Sequence, residues 1–458
     1  MNFRLAGARI HFIGVGGVGM CGLAELLYNM GVQVKGSDLS ENSHTHHLRQ
    51  LGIKISIGHN QENLRDVDVA VFSSAVKPSN IEYQTAKRLG IPLIPRAEAL
   101  AEIMQLRRGI AIAGSHGKTT TTSMTATIFI HAKTDPTIVI GGRLDLIKST
   151  AKLGSGEWLI AEADESDGSF NRLTPEIAIV TNIDNDHLDH FGSLRALENA
   201  FVEFASRIPF YGVAIVCGDS PRMRELFEVF PKRILFYGFD AANEYRIEGK
   251  NSQYRLYYCD HEIGGFKLQI PGRHNALNAT AAILAGHVSG LPLAKCFEGI
   301  ATYSGVDRRF HKKANVLGID IYDDYGHHPT EISAVISAFR EQFPKRRLVI
   351  LFQPHRFSRT RQCWDQFLNC FENCDKLYLC DIYPAGEMPI AGVSAQKLLE
   401  EIRHSDRCYL GAKDTAGAQI VQDLRPGDVF VTLGAGDVWK IGEEVADKLQ
   451  NKSDVSKT

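Results

Sequence analysis

The stretch GIAIAGSHGKTTTTSM, residues 109–124, runs an apolar segment into Gly114-Ser115-His116-Gly117-Lys118-Thr119 and then into a series of hydroxyl residues. Consecutive backbone N–H groups in such a turn, with a helix starting at its end, can surround phosphate oxygens. A lysine there reaches the terminal phosphates, and the hydroxyl after it ligates Mg²⁺. Lys118 and Thr119 stand at those two positions, with Thr120 next to them. Ile112 occupies the place of the first glycine of G-x-x-x-x-G-K-[ST], so the loop is a shortened relative of the standard one. A second glycine loop lies near the start. HFIGVGGVGM, residues 11–20, satisfies G-x-G-x-x-G at Gly14, Gly16 and Gly19, encloses Gly17, and is followed by Asp38 at the end of the next apolar run. That pattern binds a ribose diphosphate, with the acidic residue on a ribose hydroxyl. A single ATPase needs only one such loop.

Other chemistry gathers at the ends of apolar runs. EWLIAEADESD carries Glu162, Asp164, Glu165 and Asp167, where a carboxylate for Mg²⁺ is wanted; Glu162 is best placed and Glu165 second. EIAIVTNIDNDHLDHF adds His187 as a second metal contact. GRHNALNATAA sets Asn275 and Asn278 one helical turn apart. Arg308 and Arg309 lie in SGVDRRFHK, and Asp323, Asp324, Tyr325, His327 and His328 in YDDYGHHPTE. Arg356 and Arg359 in FQPHRFSRTR follow the run LVILFQ, and paired guanidinium groups there suit a carboxylate ligand. His44, His46 and His47 sit on a predicted helix with no partner motif.

The elements that must position these residues are strands and helices in alternation. Residues 9–95 predict a parallel sheet with helical crossovers, including helices over 17–30 and 41–51. GIAIA opens a second segment, in which EYRIEGKNSQYRLYYCDHEIGGFKLQI alternates like antiparallel strands. A third segment begins near Arg309 and again predicts an open parallel sheet. The expectation is an α/β protein of three domains, residues 1–105, 106–308 and 309–458, a division that suits 458 residues. Lys+Arg of 51 against Asp+Glu of 53 gives a formal charge of −2, which argues against a broad nucleic-acid surface. The nine cysteines lack paired spacing and are expected to be reduced thiols. The start MNFRLAGARIHFIG is not a signal sequence and no run approaches a membrane span, so a cytoplasmic protein is expected.

GVGGVGMCGLAELL, GSHGKTTTT, AEADESDGSF, TNIDNDHLDHF, GRHNALNA, DDYGHHPTEI, FQPHRFSRTR and LGAGDVWKIGEE, in this order, resemble the Mur ligases, ATP-dependent amide ligases of bacterial cell-wall synthesis. The resemblance spans nearly the whole chain. It implies a Rossmann-like UDP-binding domain, a central P-loop ATPase domain with a mainly parallel sheet, and a C-terminal Rossmann-like domain that closes over both. Two glycine loops then serve two nucleotides, a UDP-sugar and ATP. The resemblance is strongest to the ligases that join L-alanine to the lactyl carboxylate of UDP-N-acetylmuramate. A ligase returning a recycled tripeptide to the same sugar is the alternative, and an NAD-dependent dehydrogenase a more distant one.

Carried onto this chain, the resemblance assigns Gly114, Ser115, His116, Gly117, Lys118, Thr119 and Thr120 to ATP, and Thr119, Glu162 and His187 to Mg²⁺. His274, Asn275 and Asn278 would lie near adenine and Asp324 at the ATP ribose, with Arg309 and His327 approaching the γ-phosphate. Gly16, Gly17, Gly19, Asp38, Ser73 and Ser74 would contact UDP, and Arg356 and Arg359 the amino-acid carboxylate. The general base is expected in the GHHP turn, at His327 or His328. Ser115 replaces the family's commoner threonine. THHL stands where Thr-Gln-Arg-Leu is more usual, so an arginine contact to the sugar diphosphate has no counterpart at His47. A monomer or homodimer with no membrane or nucleic-acid partner is expected.

Overall fold

A computed structural model describes residues 7–73, 75–144, 146–147, 149–411 and 415–455, without the side chains of Asp189 and residues 453–455. Strands β1 (Arg9–Ile13), β2 (Gln33–Asp38), β3 (Lys54–Ile57), β4 (Val69–Phe72) and β5 (Leu93–Pro95) form a parallel sheet in the order β3-β2-β1-β4-β5. Helices α1 (Val18–Asn29), α2 (Ser43–Gln50), α3 (Ile81–Leu89) and α4 (Arg96–Met104) alternate with these strands. Phe12, Ile13, Ala70 and Val71 are completely buried, as a sheet covered on both faces requires. Asn42 starts α2 through a capping box with Thr45; Asn80 caps α3, and Gly90 ends it in the left-handed region at φ 69°. The strand order reverses between β1 and β4, where such sheets open a crevice at their carboxyl ends. Register sets Ile13 beside Ser37 and Phe72, so Gly14, Asp38 and Ser73 emerge together at that end.

The second sheet has ten strands: β6 (Arg108–Ala113), β7 (Thr137–Leu144), β8 (Ser149–Lys152), β9 (Trp158–Glu162), β10 (Ile177–Val180), β11 (Val213–Cys217), β12 (Ile234–Gly238), β13 (Tyr245–Lys250), β14 (Gln253–Tyr258) and β15 (His261–Lys267). Their order is β15-β14-β13-β12-β11-β10-β6-β9-β7-β8. The sheet is parallel from β13 to β7, while β8 lies antiparallel on β7 and β14 antiparallel to β15. Within the alternating polar stretch β14 and β15 are antiparallel as expected, while β13 joins the preceding β12 in parallel. Ala113 pairs with Val180 and Ile112 with Glu162, so the phosphate loop, Thr181 and Glu162 share one edge. Helix α5 (Lys118–His131) is rich in threonine yet mostly buried. Four of its hydroxyls are satisfied within the helix: Thr122, Ser123, Thr125 and Thr127 each donate to the carbonyl four residues back, whereas Thr119 donates to Glu162.

The third sheet comprises β16 (His311–Val316), β17 (Ile319–Asp324), β18 (Leu348–Phe352), β19 (Lys376–Cys380), β20 (Arg407–Gly411) and β21 (Val429–Leu433), ordered β16-β17-β21-β18-β19-β20. Only β16 is antiparallel to its neighbour. The expected three-domain α/β class is therefore what the chain adopts, one sheet per segment. The first two sheets belong to one compact unit; the third, with Lys250–Ser252 and Leu268–Ala276, forms a second. Among the described residues no helix is long and apolar enough to cross a membrane.

Candidate active site

The loop between β6 and α5 is held from outside by the end of β10. Ser115 N donates to Asn182 O at 3.0 Å and His116 N to Asn182 Oδ1 at 2.9 Å, while His116 O accepts from Thr181 Oγ1 at 2.7 Å. His116 Nε2 lies 2.9 Å from Asp184 Oδ2. Gly117 enters the helix at φ 82°, and a Cβ there would also stand 2.6 Å from Asn278 Oδ1, so glycine is required twice over. Lys118 Nζ donates to Glu165 Oε1 at 2.7 Å and to the carbonyls of Gly114 and Ser115 at 2.7 and 3.2 Å. Burial works against the Lys118 ammonium, but Glu165, Asp164 and Glu162 outweigh it and keep the group charged. Burial likewise pushes the Glu165 carboxyl up, to about 7, against the pull of Lys118.

Thr119 Oγ1 donates to Glu162, 2.9 Å from Oε2, and Gly141 N donates to the same oxygen at 2.8 Å. Glu162 is thus fixed at the start of α5, beside the hydroxyl expected to meet a metal. His187 Nε2 lies 3.8 Å from Glu165 Oε1 and 3.7 Å from Asp186 Oδ2. Glu165 Oε2 is buried with no hydrogen-bond partner among the described residues. Hard oxygen donors at a helix start, with one carboxylate oxygen unpaired, fit a divalent cation such as Mg²⁺.

In the first sheet the glycine loop is bound to β2. Ser37 O accepts from Gly14 N and Val15 N, both at 2.9 Å, and Asp38 Oδ2 accepts from Gly16 N at 2.7 Å. A Cβ on Gly16 would sit 2.6 Å from Asn42 Nδ2. Gly17 directly precedes α1 and Gly19 packs beside Arg96. Ser73 N donates to Ile13 O at 3.2 Å, and Ser74 lies outside the described residues. His47 Nε2 lies 3.0 Å from Glu25 Oε2 on α1.

In the second unit, Asp324 is buried, with Oδ2 accepting from Phe310 N at 2.7 Å and Oδ1 from Gly326 N at 2.8 Å. Burial pushes its carboxyl up to about 6, against the pull of Arg309. Arg309 lies over the Tyr325 ring at 5.1 Å and 3.7 Å from Glu331 Oε1. His274 is held down to about 4 by burial and by Arg309. Asn275 Nδ2 donates to Pro271 O at 2.6 Å. His327 keeps some exposure, with Nδ1 3.1 Å from Tyr325 O. His328 is fully buried, capping the helix Pro329–Gln342 through Nδ1, with Nε2 3.5 Å from Cys363 Sγ. Arg356 has φ 69° just ahead of the helix Phe357–Gln362, an uncommon conformation for a side-chain-bearing residue. Arg359 Nη1 lies 3.3 Å from His355 Nδ1.

Three family models match the chain in succession: the Mur ligase family catalytic domain over residues 9–108, the Mur ligase middle domain over 112–286, and the Mur ligase glutamate ligase domain over 308–436. The UDP-N-acetylmuramate–L-alanine ligase of Bdellovibrio bacteriovorus is 58% identical over 452 residues, covering 97% of this chain and 100% of that protein. The chain belongs to the Mur ligase family. Another relative, the UDP-N-acetylmuramate–L-alanine ligase of Geobacter sulfurreducens, is 49% identical over 96% of this chain and 98% of its own. Among solved structures, the UDP-N-acetylmuramate–alanine ligase of Thermotoga maritima matches with a TM-score of 0.82 at 26% identity, covering 97% of this chain and 99% of that one. The murein peptide ligase of Psychrobacter arcticus shares the fold, with a TM-score of 0.72 at 24% identity over 97% of this chain and 99% of its own.

In this Mur ligase several residues that sequence reasoning passed over hold the site together. Asn182 and Thr181 cradle the phosphate loop; the run TNID was the available signal, but its polar atoms gave no hint of which loop they face. Gly141 supplies a backbone donor to Glu162, which no side-chain pattern reveals. Arg96 links the first glycine loop to the acidic run after β9, lying beside Gly19 and 3.4 Å from Asp164 Oδ2.

Proposed function

We propose that this chain joins L-alanine to the lactyl carboxylate of UDP-N-acetylmuramate, with ATP converted to ADP and phosphate. The observation that carries this is the 58% identity, over the full length of the relative, to a protein named for that reaction. The geometry supplies the parts. A carboxylate is a poor electrophile, so condensation with an amine needs activation. The lactyl carboxylate oxygen attacks the γ-phosphorus of ATP, the bond to the β-γ bridging oxygen breaks, and an acyl phosphate and ADP form. Lys118 and the amides of residues 117–119 would neutralise charge spread over the phosphoryl oxygens. Thr119 and Glu162 would hold Mg²⁺, with Glu165 and His187 next to them; the ion would add Lewis-acid stabilisation of the same oxygens. The amine of alanine then attacks the acyl carbon, and phosphate leaves. His327, the less buried of the two histidines in its turn, is the better candidate to take the proton. Arg356 and Arg359 would grip the alanine carboxylate, and His274, Asn275, Asn278 and Asp324 the adenosine.

The domain division at residues 105 and 308, a cytoplasmic setting and a monomer or homodimer belong to this proposal. A second reading, addition of a tripeptide to the same sugar, is favoured by the fold shared with murein peptide ligases such as that of Psychrobacter arcticus. Phosphate release measured with UDP-N-acetylmuramate, ATP and either L-alanine or the tripeptide separates the two. Turnover with the tripeptide alone would overturn the proposal.

A further inference from the structure

A second constellation lies beneath the first glycine loop and is not used by the chemistry above. Glu82, in the first turn of α3, is completely buried. Its Oε2 lies 2.6 Å from Ser37 Oγ, 3.1 Å from His59 Nδ1 and 3.3 Å from His11 Nε2. Its Oε1 accepts from Asn63 Nδ2 at 2.6 Å and from Asn60 N at 3.1 Å. Burial opposes ionisation, but hydrogen bonds from His11, Ser37 and Asn63 outweigh it and hold the carboxyl down to about 2. A charged carboxylate inside a protein is an expensive way to fill space, since apolar side chains of similar volume serve stability as well or better.

The partners show what the carboxylate organises. His11 comes from β1, Ser37 from β2, and His59, Asn60 and Asn63 from the segment after β3. Ser37 uses its hydroxyl on Glu82 and its carbonyl on the amides of both Gly14 and Val15. The next residue, Asp38, accepts from Gly16 N, and its own carbonyl accepts from Gly58 N at 2.8 Å. The amides of residues 14–16 are therefore all held by the end of β2, with the Gly16 carbonyl accepting in addition from Asn42 Nδ2 at 3.3 Å, and the end of β2 is tied to Glu82.

We propose that Glu82 is a positioning residue for the sugar-nucleotide site: through Ser37 it anchors the amides of Gly14 and Val15, and so fixes the course of the loop from which the first amides of α1, at Val18 and Gly19, present themselves to a diphosphate. The proposal rests on the reading that this loop binds UDP-N-acetylmuramate.

The test uses the full-length protein with Glu82→Gln, which keeps the shape and removes the charge, and with Ser37→Ala, which removes the hydroxyl and leaves the carbonyl. UDP-N-acetylmuramate binding, KM for each nucleotide, kcat, and hydrogen–deuterium exchange over residues 11–20 and 109–124 without nucleotide are measured. Glu82→Gln is expected to weaken UDP-N-acetylmuramate binding and raise its KM about tenfold, the scale of one hydrogen bond to a charged group. The KM for ATP and kcat should stay within about twofold, and exchange should quicken over residues 11–20 but not over 109–124. Ser37→Ala should give the same pattern at about threefold. Were Glu82→Gln not to fold, Ser37→Ala would decide by the same pattern. Unchanged sugar-nucleotide KM with unchanged exchange, or equal changes in the parameters for both nucleotides, would overturn the proposal. A wild-type protein that fails to bind UDP-N-acetylmuramate refutes the substrate reading instead, and exchange over residues 11–20 then decides the positioning role alone.

Discussion

Replacing Lys118 by methionine tests the central site through its stability as well as its chemistry. Lys118 Nζ is 2.7 Å from the Oε1 of Glu165, which is completely buried, and removing it strands a carboxyl group inside the protein. Breaking a buried pair from one side costs about 3–5 kcal/mol. Proton uptake by Glu165 limits that cost, because burial already pushes its carboxyl up to about 7 in the wild type, where it is partly protonated at neutral pH. In the variant, with no ammonium beside it, the folded-state carboxyl holds its proton to higher pH than in wild type. The variant therefore loses stability relative to wild type as pH rises above about 7, by up to about 1.4 kcal/mol per pH unit. Lys118→Met should be within about 1 kcal/mol of wild type at pH 7 and about 2–3 kcal/mol less stable at about pH 9. Adding Glu165→Gln should restore most of the loss at the higher pH. Ligation should remain abolished in both variants, because the phosphate-facing ammonium is gone. The assay is urea unfolding at the two pH values in chelator, without nucleotide, followed by phosphate release with all substrates. A Lys118→Met protein as stable as wild type at the higher pH, or one that Glu165→Gln does not rescue there, would refute the reasoning.

Gly141→Ala places a Cβ 2.7 Å from Glu162 Oε2, so the carboxylate must move; kcat should fall about 10- to 100-fold with unfolding changed by less than about 1 kcal/mol. Gly16→Ala puts a Cβ 2.6 Å from Asn42 Nδ2 and 2.8 Å from Asp38 Oδ2 and should raise the KM for UDP-N-acetylmuramate about tenfold while leaving the KM for ATP unchanged, as steady-state kinetics would show. Arg359→Lys removes a planar fork from a buried position and should raise the KM for L-alanine about 10- to 100-fold, measured at saturating nucleotides.

Where chemistry is local in the chain, the sequence carried it. GSHGKT runs contiguously from strand to helix, so its strand, turn and helix can be read together, and the structure has β6, the loop and α5 in that order. The Gly14-x-Gly16-x-x-Gly19 loop and Asp38 are legible for the same reason, being one crossover apart. Glu82 was not legible. An acidic residue in the first turn of a helix after an asparagine cap is what a solvated helix start also looks like, and only packing α3 onto the end of β2 turns it inward. His47 likewise carries no signal of its partner Glu25 on α1.

The amino-acid order by itself determined the α/β class, the two glycine loops and the family, because alternation of apolar runs and turn residues is a property of neighbours in the chain. Tertiary structure decided which partner each carboxylate meets. Glu162 and Glu165 are one turn of text apart, yet β9 register aims the first at Thr119 while the second is buried against Lys118. The physical reason is that hydrogen-bond partners and desolvation depend on distances between strands that meet only once the sheet has formed.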